Sequence, residues 1–265
     1  MANLTSNKAM YDHLSYLAEQ HIVTDDDQLV FDALKRNDIQ HACQPVRDTQ
    51  SDEIKYQHLT LRFGLRSEQS VYQYELSEEM QKCLDLFSVY LALRQVKFQL
   101  DTFHPHLISR VVIPIRAETL LWEKGDEFLN QIIQFHKQAL KHMILSLQTE
   151  GTYRAHNNFP HLIKTLKRYT SALWFEFTTN QTHYEHIAEF SPDIIKLSMT
   201  IEDKQDHHSF LPMARFLRRH QLTWVAGRVS SQNELNRYRL LGARYYFGYL
   251  SDIPNSSSFK SFDSE

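Results

Sequence analysis

Trp224-Val225-Ala226-Gly227-Arg228-Val229-Ser230-Ser231 is the stretch on which the reading of the fold turns. Residues 222–226, LTWVA, are almost all apolar, as in a strand covered on both faces. Ser231-Gln232-Asn233-Glu234 then has the capping-box pattern. The serine is placed to cap the amide of Glu234, and the glutamate to reach back. Leu235, Tyr238 and Leu241 recur on one helical face, and Gly242 stands where a helix ends on a left-handed residue. Residues 244–247 form the next strand, followed by Gly248-Tyr249-Leu250 and Pro254. The unit is strand, helix, strand.

The same alternation extends back through the chain. Apolar runs at 41–46, 56–63, 110–115, 143–147, 172–177 and 193–197 bring the strand candidates to eight. Helical patterns lie between most of them, at 76–98, 125–141 and 204–220. Pro212 kinks the last of these or begins a second segment. Eight strands with intervening helices predict an α/β fold, a (β/α)8 TIM-like barrel. A doubly wound open sheet is the alternative. Residues 1–36 carry helical patterns, with Tyr11, Leu14, Leu17 and Ala18 on one of them, and form an N-terminal helical extension. Residues 37–254 hold the barrel. The polar segment 255–265 reads as a disordered tail.

Composition narrows the function classes. The 265 residues carry a net charge of −3, which leaves no basic footprint for general nucleic-acid binding. No run approaches the ~18 apolar residues of a membrane span, and the N-terminus lacks a signal-peptide pattern. Cys43 and Cys83 make neither a disulfide framework nor a metal spacing. A reduced, cytoplasmic protein is expected. Of the 15 histidines, His104/His106, His207/His208 and His136/His142 form clusters, none with zinc-protease spacing. No cofactor is implied.

The order of the C-terminal motifs resembles the end of the EAL domain, a cyclic-di-GMP phosphodiesterase family that usually reads V-A-E-G-V-E-T, then L-G, then Q-G-Y-L. Other segments fit the resemblance. Gln44-Pro45-Val46 is similar to the family's Q-P-I, and Leu61-Arg62-Phe63 to the L-R-W after the signature E-A-L. Phe175-Glu176-Phe177-Thr178 stands at the D-D-F-G loop and Lys196-Leu197-Ser198 at K-I-D. Active members hold two divalent metals with carboxylates and an asparagine at strand ends. At those positions the resemblance places His58, Pro114, Ser146, Phe175, Ser198, Gly227 and Ser230, with Phe247 at the glutamine; Glu176 is the one carboxylate retained. The loop glycines are replaced by Thr178 and Asn180.

The resemblance therefore implies a degenerate, non-catalytic EAL-type barrel without metal. It acts through protein–protein contact, in the manner of degenerate members that bind a transcription-factor subunit. The exposed arginines of the 204–241 region, Arg215, Arg218 and Arg219, with Tyr238, are the candidate partner contacts, and cyclic-di-GMP is not an expected ligand. The alternative is a metal-independent cyclic-di-GMP receptor. There Gln44, Arg62, Lys196 and Glu176 are the ligand-binding residues, and Arg116 and Arg228 add positive charge to the mouth. A third reading, an enzyme of unrelated chemistry, finds no nucleophile or acid–base pair in the sequence.

Overall fold

The computed structural model describes residues 3–63, 69–149, 156–178, 184–200 and 204–256, with backbone alone at residues 72, 184, 204–209 and 256. Asn180, the side chains of His207 and His208, and the tail 257–265 lie outside what is described. Each of the eight expected strand regions is a strand: β1 Ile39–Asp48, β2 Ile54–Phe63, β4 Val111–Arg116, β5 Met143–Gln148, β6 Trp174–Phe177, β7 Ile194–Leu197, β8 Trp224–Ala226 and β9 Tyr245–Tyr246. Two short pieces, β3 Gln69–Ser70 and β10 Asn255–Ser256, pair with β2 and β1.

The sheet closes on itself. From β2 through β4 to β9 every neighbouring pair is parallel, and β1 completes the ring between β9 and β2. β1 is antiparallel to both of its neighbours, so the barrel departs from the regular all-parallel pattern. The cause is local. Asp48 Oδ1 accepts from the amides of Gln50 (2.8 Å) and Ser51 (3.1 Å), and Asp52 takes φ 60°. An aspartate that bonds the backbone ahead of it makes a tight turn, which joins antiparallel strands; a parallel pair needs a crossover.

Helices cover the outside: α3 Glu78–Thr102, α4 Ala117–Leu121, α5 Glu123–Leu140, α6 Phe159–Tyr169, α7 Lys204–Arg219 and α8 Gln232–Leu241. α7 runs continuously through the exposed Pro212. α8 is capped by Ser231, whose side chain accepts from Glu234 N (3.1 Å), and ends at Gly242 with φ 92°. The reciprocal bond differs from the expected box: Glu234 Oε2 takes the amide of Ser230 (2.8 Å). Glu234 is fully buried and also accepts from Thr200 and Tyr238, which ties the loop after β7 to α8.

The N-terminal pattern folds as α1 Asn7–Glu19 and α2 Asp25–Lys35. Met10, Leu14, Leu17 and Val30 are buried in the core that surrounds the barrel, and the Tyr11 ring meets Phe87 of α3 at 6.4 Å.

Strand residues alternate between two cores. On β4, Val111, Ile113 and Ile115 face the helices, while Val112 points into the barrel. Val46, Val112, Ile144, Trp174, Ile194, Val225 and Phe247 fill the interior together with Tyr56 and Tyr245. Trp174 meets Tyr56 edge-on at 5.0 Å. Period-2 alternation makes this a packed interior rather than a pore.

Between β1 and α3 sits a buried histidine. His41 is 3% exposed, bonds Ser88 Oγ at 2.9 Å, and is driven by burial to a pKa of about 3, with Arg94 adding to the shift. Its folded pKa is below its unfolded value, so the unfolded chain binds the extra proton as pH falls. Stability is thus lost from about pH 6.5 downward. Unfolding equilibria at pH 7 and pH 5 are expected to differ by about 2 kcal/mol from His41 alone. A His41→Asn variant should show a correspondingly smaller drop; an unchanged pH dependence refutes the assignment.

Candidate functional site

The mouth of the barrel lies at the C-terminal ends of the parallel strands. It opens a cavity of about 480 Å³ lined by Gln44, His58, Arg62, Pro114, Arg116, Gln148, Glu176, Lys196, Ser198, Arg228, Phe247 and Tyr249, among others. Active sites of (β/α)8 barrels form at this end, because the loops there converge over the strand ends.

Lys196 is its centre. The residue is 2% exposed, and its Nζ lies 2.8 Å from Glu176 Oε2 and 2.9 Å from His58 Nε2. Lys196 on β7 is in register with Glu176 on β6, which brings the two inward-pointing side chains together. An ammonium has only protons to give, so His58 Nε2 accepts, and the imidazole is neutral with its proton on Nδ1. Burial, then the Lys196 charge, then His41 hold His58 well below its usual pKa. Burial lowers the Lys196 pKa, and the Glu176 carboxylate pulls it back up. Phe247 stacks on His58 at 4.5 Å and completes the lid over the apolar floor.

Glu176 is fully engaged. Besides Lys196 it accepts from Gln148 Nε2 (3.1 Å) and from Ser198 Oγ. Among the described residues lining the mouth it is the one carboxylate. Two divalent cations need several oxygen ligands. Here the cation beside the carboxylate is an ammonium, and Pro114 offers no side-chain donor. This donor set does not fit a metal pair. Among the described residues, no cluster of three or more His, Cys, Asp or Glu is placed to hold a metal ion.

Several expected mouth residues lie elsewhere. Phe175 packs in the outer core and faces Phe190 at 6.5 Å, because it is out of phase with inward-pointing Glu176. Ser146 lies below the rim, fully buried, and Gln148, one inward step further along β5, takes the mouth position. The β period of two would have picked out Gln148. Arg116 reaches the mouth, but its guanidinium is bound bidentately by Asp85 (2.8 and 2.9 Å) and also by Gln81. Arg62 differs: among the described residues its buried Nε has no hydrogen-bond partner. Gln44 donates to the carbonyl of Asp252 (2.7 Å).

Arg215, Arg218 and Arg219 are exposed on α7, whose Met213, Phe216 and Leu217 are buried. Tyr238 is a correction. It is fully buried against Phe210 and Trp224 with its hydroxyl on Glu234, so it has no surface to offer a partner. Of the histidine clusters, His104 and His106 lie with rings 4.3 Å apart, and His136 bonds the carbonyl of Leu4 (2.7 Å).

A family model for the EAL domain matches residues 27–252. The chain belongs to the EAL domain family. Solved EAL-domain structures share its fold. They include the PaMucR phosphodiesterase in complex with c-di-GMP (TM-score 0.69, 15% identity, 88% of this chain and 98% of that one). The Bacillus subtilis YkuI protein, in complex with substrate c-di-GMP and calcium, has TM-score 0.68 and 16% identity over 89% of this chain and 60% of that one. Vibrio cholerae LapD, bound to c-di-GMP, has TM-score 0.66 and 16% identity over 89% and 57%. The chain thus spans less than two thirds of YkuI and of LapD. Comparison with curated protein sequences gives no match. These complexes overturn the expectation against cyclic-di-GMP as a ligand: relatives of the same fold carry it. Among the described residues no helix is long and apolar enough to cross a membrane.

Removing one member of a buried ion pair strands the other. Lys196→Ala should cost about 3 kcal/mol or more in chemical denaturation. Lys196→Met with Glu176→Gln, which removes both charges, should recover most of it. A single variant as stable as wild type contradicts the assigned pairing.

Proposed function

We propose that this EAL domain binds cyclic-di-GMP at the barrel mouth without hydrolysing it. One observation carries the reading: Glu176, the mouth's carboxylate, is consumed by Lys196, Gln148 and Ser198. Hydrolysis by paired metals needs carboxylates free to hold the metals and an activated water. Binding a phosphodiester needs only donors. Among the described residues Arg62 has a buried Nε to spare, and Gln44 and Arg228 stand on the same rim. The ligand is proposed from the c-di-GMP held by the similar structures.

Titration calorimetry with cyclic-di-GMP tests this. The expected result is binding of equal strength in EDTA and in Mg²⁺ or Mn²⁺, with no linear product on prolonged incubation. Arg62→Ala should weaken binding by about 10- to 100-fold, the worth of a charged hydrogen bond. No binding by wild type, or turnover abolished by Glu176→Ala, overturns the reading.

A second reading concerns output. Arg215, Arg218 and Arg219 are exposed and make no ion pair among the described residues, while the opposite face of α7 is spent on the core. Arginine on such a face favours a regulatory protein contact. A folded Arg215→Glu/Arg218→Glu variant should lose partners that wild type recovers from native extract; equal recovery rejects this face.

A further inference from the structure

Tyr249 is 63% exposed, yet it sits on a turn anchored by several backbone hydrogen bonds. Val229 N donates to Phe247 O (3.1 Å), Leu250 N to Val229 O (3.0 Å), and Asp252 N to Gly248 O (3.2 Å). Gly248 lies flush on the loop after β8: a Cβ there would fall 2.1 Å from Val229 O. The far end of the turn is held by Arg47, which grips the Asp252 carboxylate at 2.8 and 3.0 Å. The backbone that presents Tyr249 is therefore fixed before any ligand arrives. Its ring and hydroxyl have no aromatic, cationic or hydrogen-bond partner among the described residues.

A single exposed aromatic is ordinary on a protein surface. This one lines the same cavity as Arg62, Arg228 and Gln44. A flat π face beside guanidinium groups, on a preorganised turn, matches a nucleotide: phosphate to the arginines, base to the ring. The other aromatic of the mouth, Phe247, is already stacked on His58 and is not available for this role. We propose that Tyr249 is the stacking platform for a base of the ligand at the barrel mouth, and that it holds a purine more strongly than a pyrimidine because the larger ring system covers more of the tyrosine face. This rests on the mouth being a cyclic-dinucleotide site.

The experiment compares wild type with Tyr249→Ala, Tyr249→Phe and Tyr249→Trp, titrated with cyclic-di-GMP and with cyclic-di-UMP, which keeps the phosphate ring and replaces the purines. The side chain is exposed, so the variants should fold, which circular dichroism checks. Wild type should favour cyclic-di-GMP. Alanine should weaken cyclic-di-GMP on the order of 10-fold or more and cyclic-di-UMP less, since every base has a face to stack and the pyrimidine's is smaller. Phenylalanine should retain binding, because stacking needs the ring and not the hydroxyl. Tryptophan should bind and show fluorescence quenching that saturates with cyclic-di-GMP. If wild type binds cyclic-di-GMP and the alanine variant binds it equally, the stacking role is wrong and the mouth reading stands. Equal affinity of wild type for both dinucleotides also sinks it. If wild type binds neither, both readings fall together.

Discussion

A lysine ammonium buried in the middle of a barrel must be neutralised or its burial costs several kcal/mol. Lys196 meets that demand with Glu176 on one side and a neutral His58 on the other. Much of the mouth follows from this. Glu176 is pinned between β5, β6 and β7 through Gln148, Lys196 and Ser198. His58 is held neutral and becomes a flat surface for Phe247. Below the pair the interior is apolar, with Trp174 and Tyr56 at its heart; above it the rim is polar. The ion pair marks the boundary between stability and function in one cavity.

The rim shows how charge is allocated. Arg116 reaches the mouth, yet Asp85 and Gln81 on α3 take its donors, so it acts as a strap between helix and barrel. Arg47 clamps the C-terminal turn through Asp252, and Gln44 holds the carbonyl of the same residue. Arg62 keeps a buried donor unspent among the described residues.

Membership of the EAL family with 15–16% identity to the similar structures means that the frame persists while most side chains have changed. The frame is conserved by packing: alternating strands need apolar residues on both faces, and many residues satisfy that need. The mouth is less tolerant, since a metal pair requires particular oxygen donors at particular places. A barrel can therefore keep its fold while the side chains of its mouth differ, and here the mouth holds an ammonium of its own.

The sequence by itself determined the strands, the principal helices and their order, because periodicity and caps are local. The apolar run at Trp224–Ala226, the Ser231 cap and Gly242 were legible without a neighbour in space. That Glu176 is the one carboxylate at the positions the resemblance assigns to metal ligands was equally legible residue by residue. The tertiary structure decided what no local pattern encodes. The Asp48 turn sets β1 antiparallel to its neighbours. The inward phase of β5 and β6 puts Gln148 and Glu176 in the mouth and sends Phe175 to the outer core. Tyr238 reads as an interface residue in a linear pattern and is buried between α7 and β8. Above all, Lys196 and His58 are 138 positions apart, and only barrel closure brings them to 2.9 Å. A sequence records which side chains are available; contact depends on strand register and closure, which long-range packing sets.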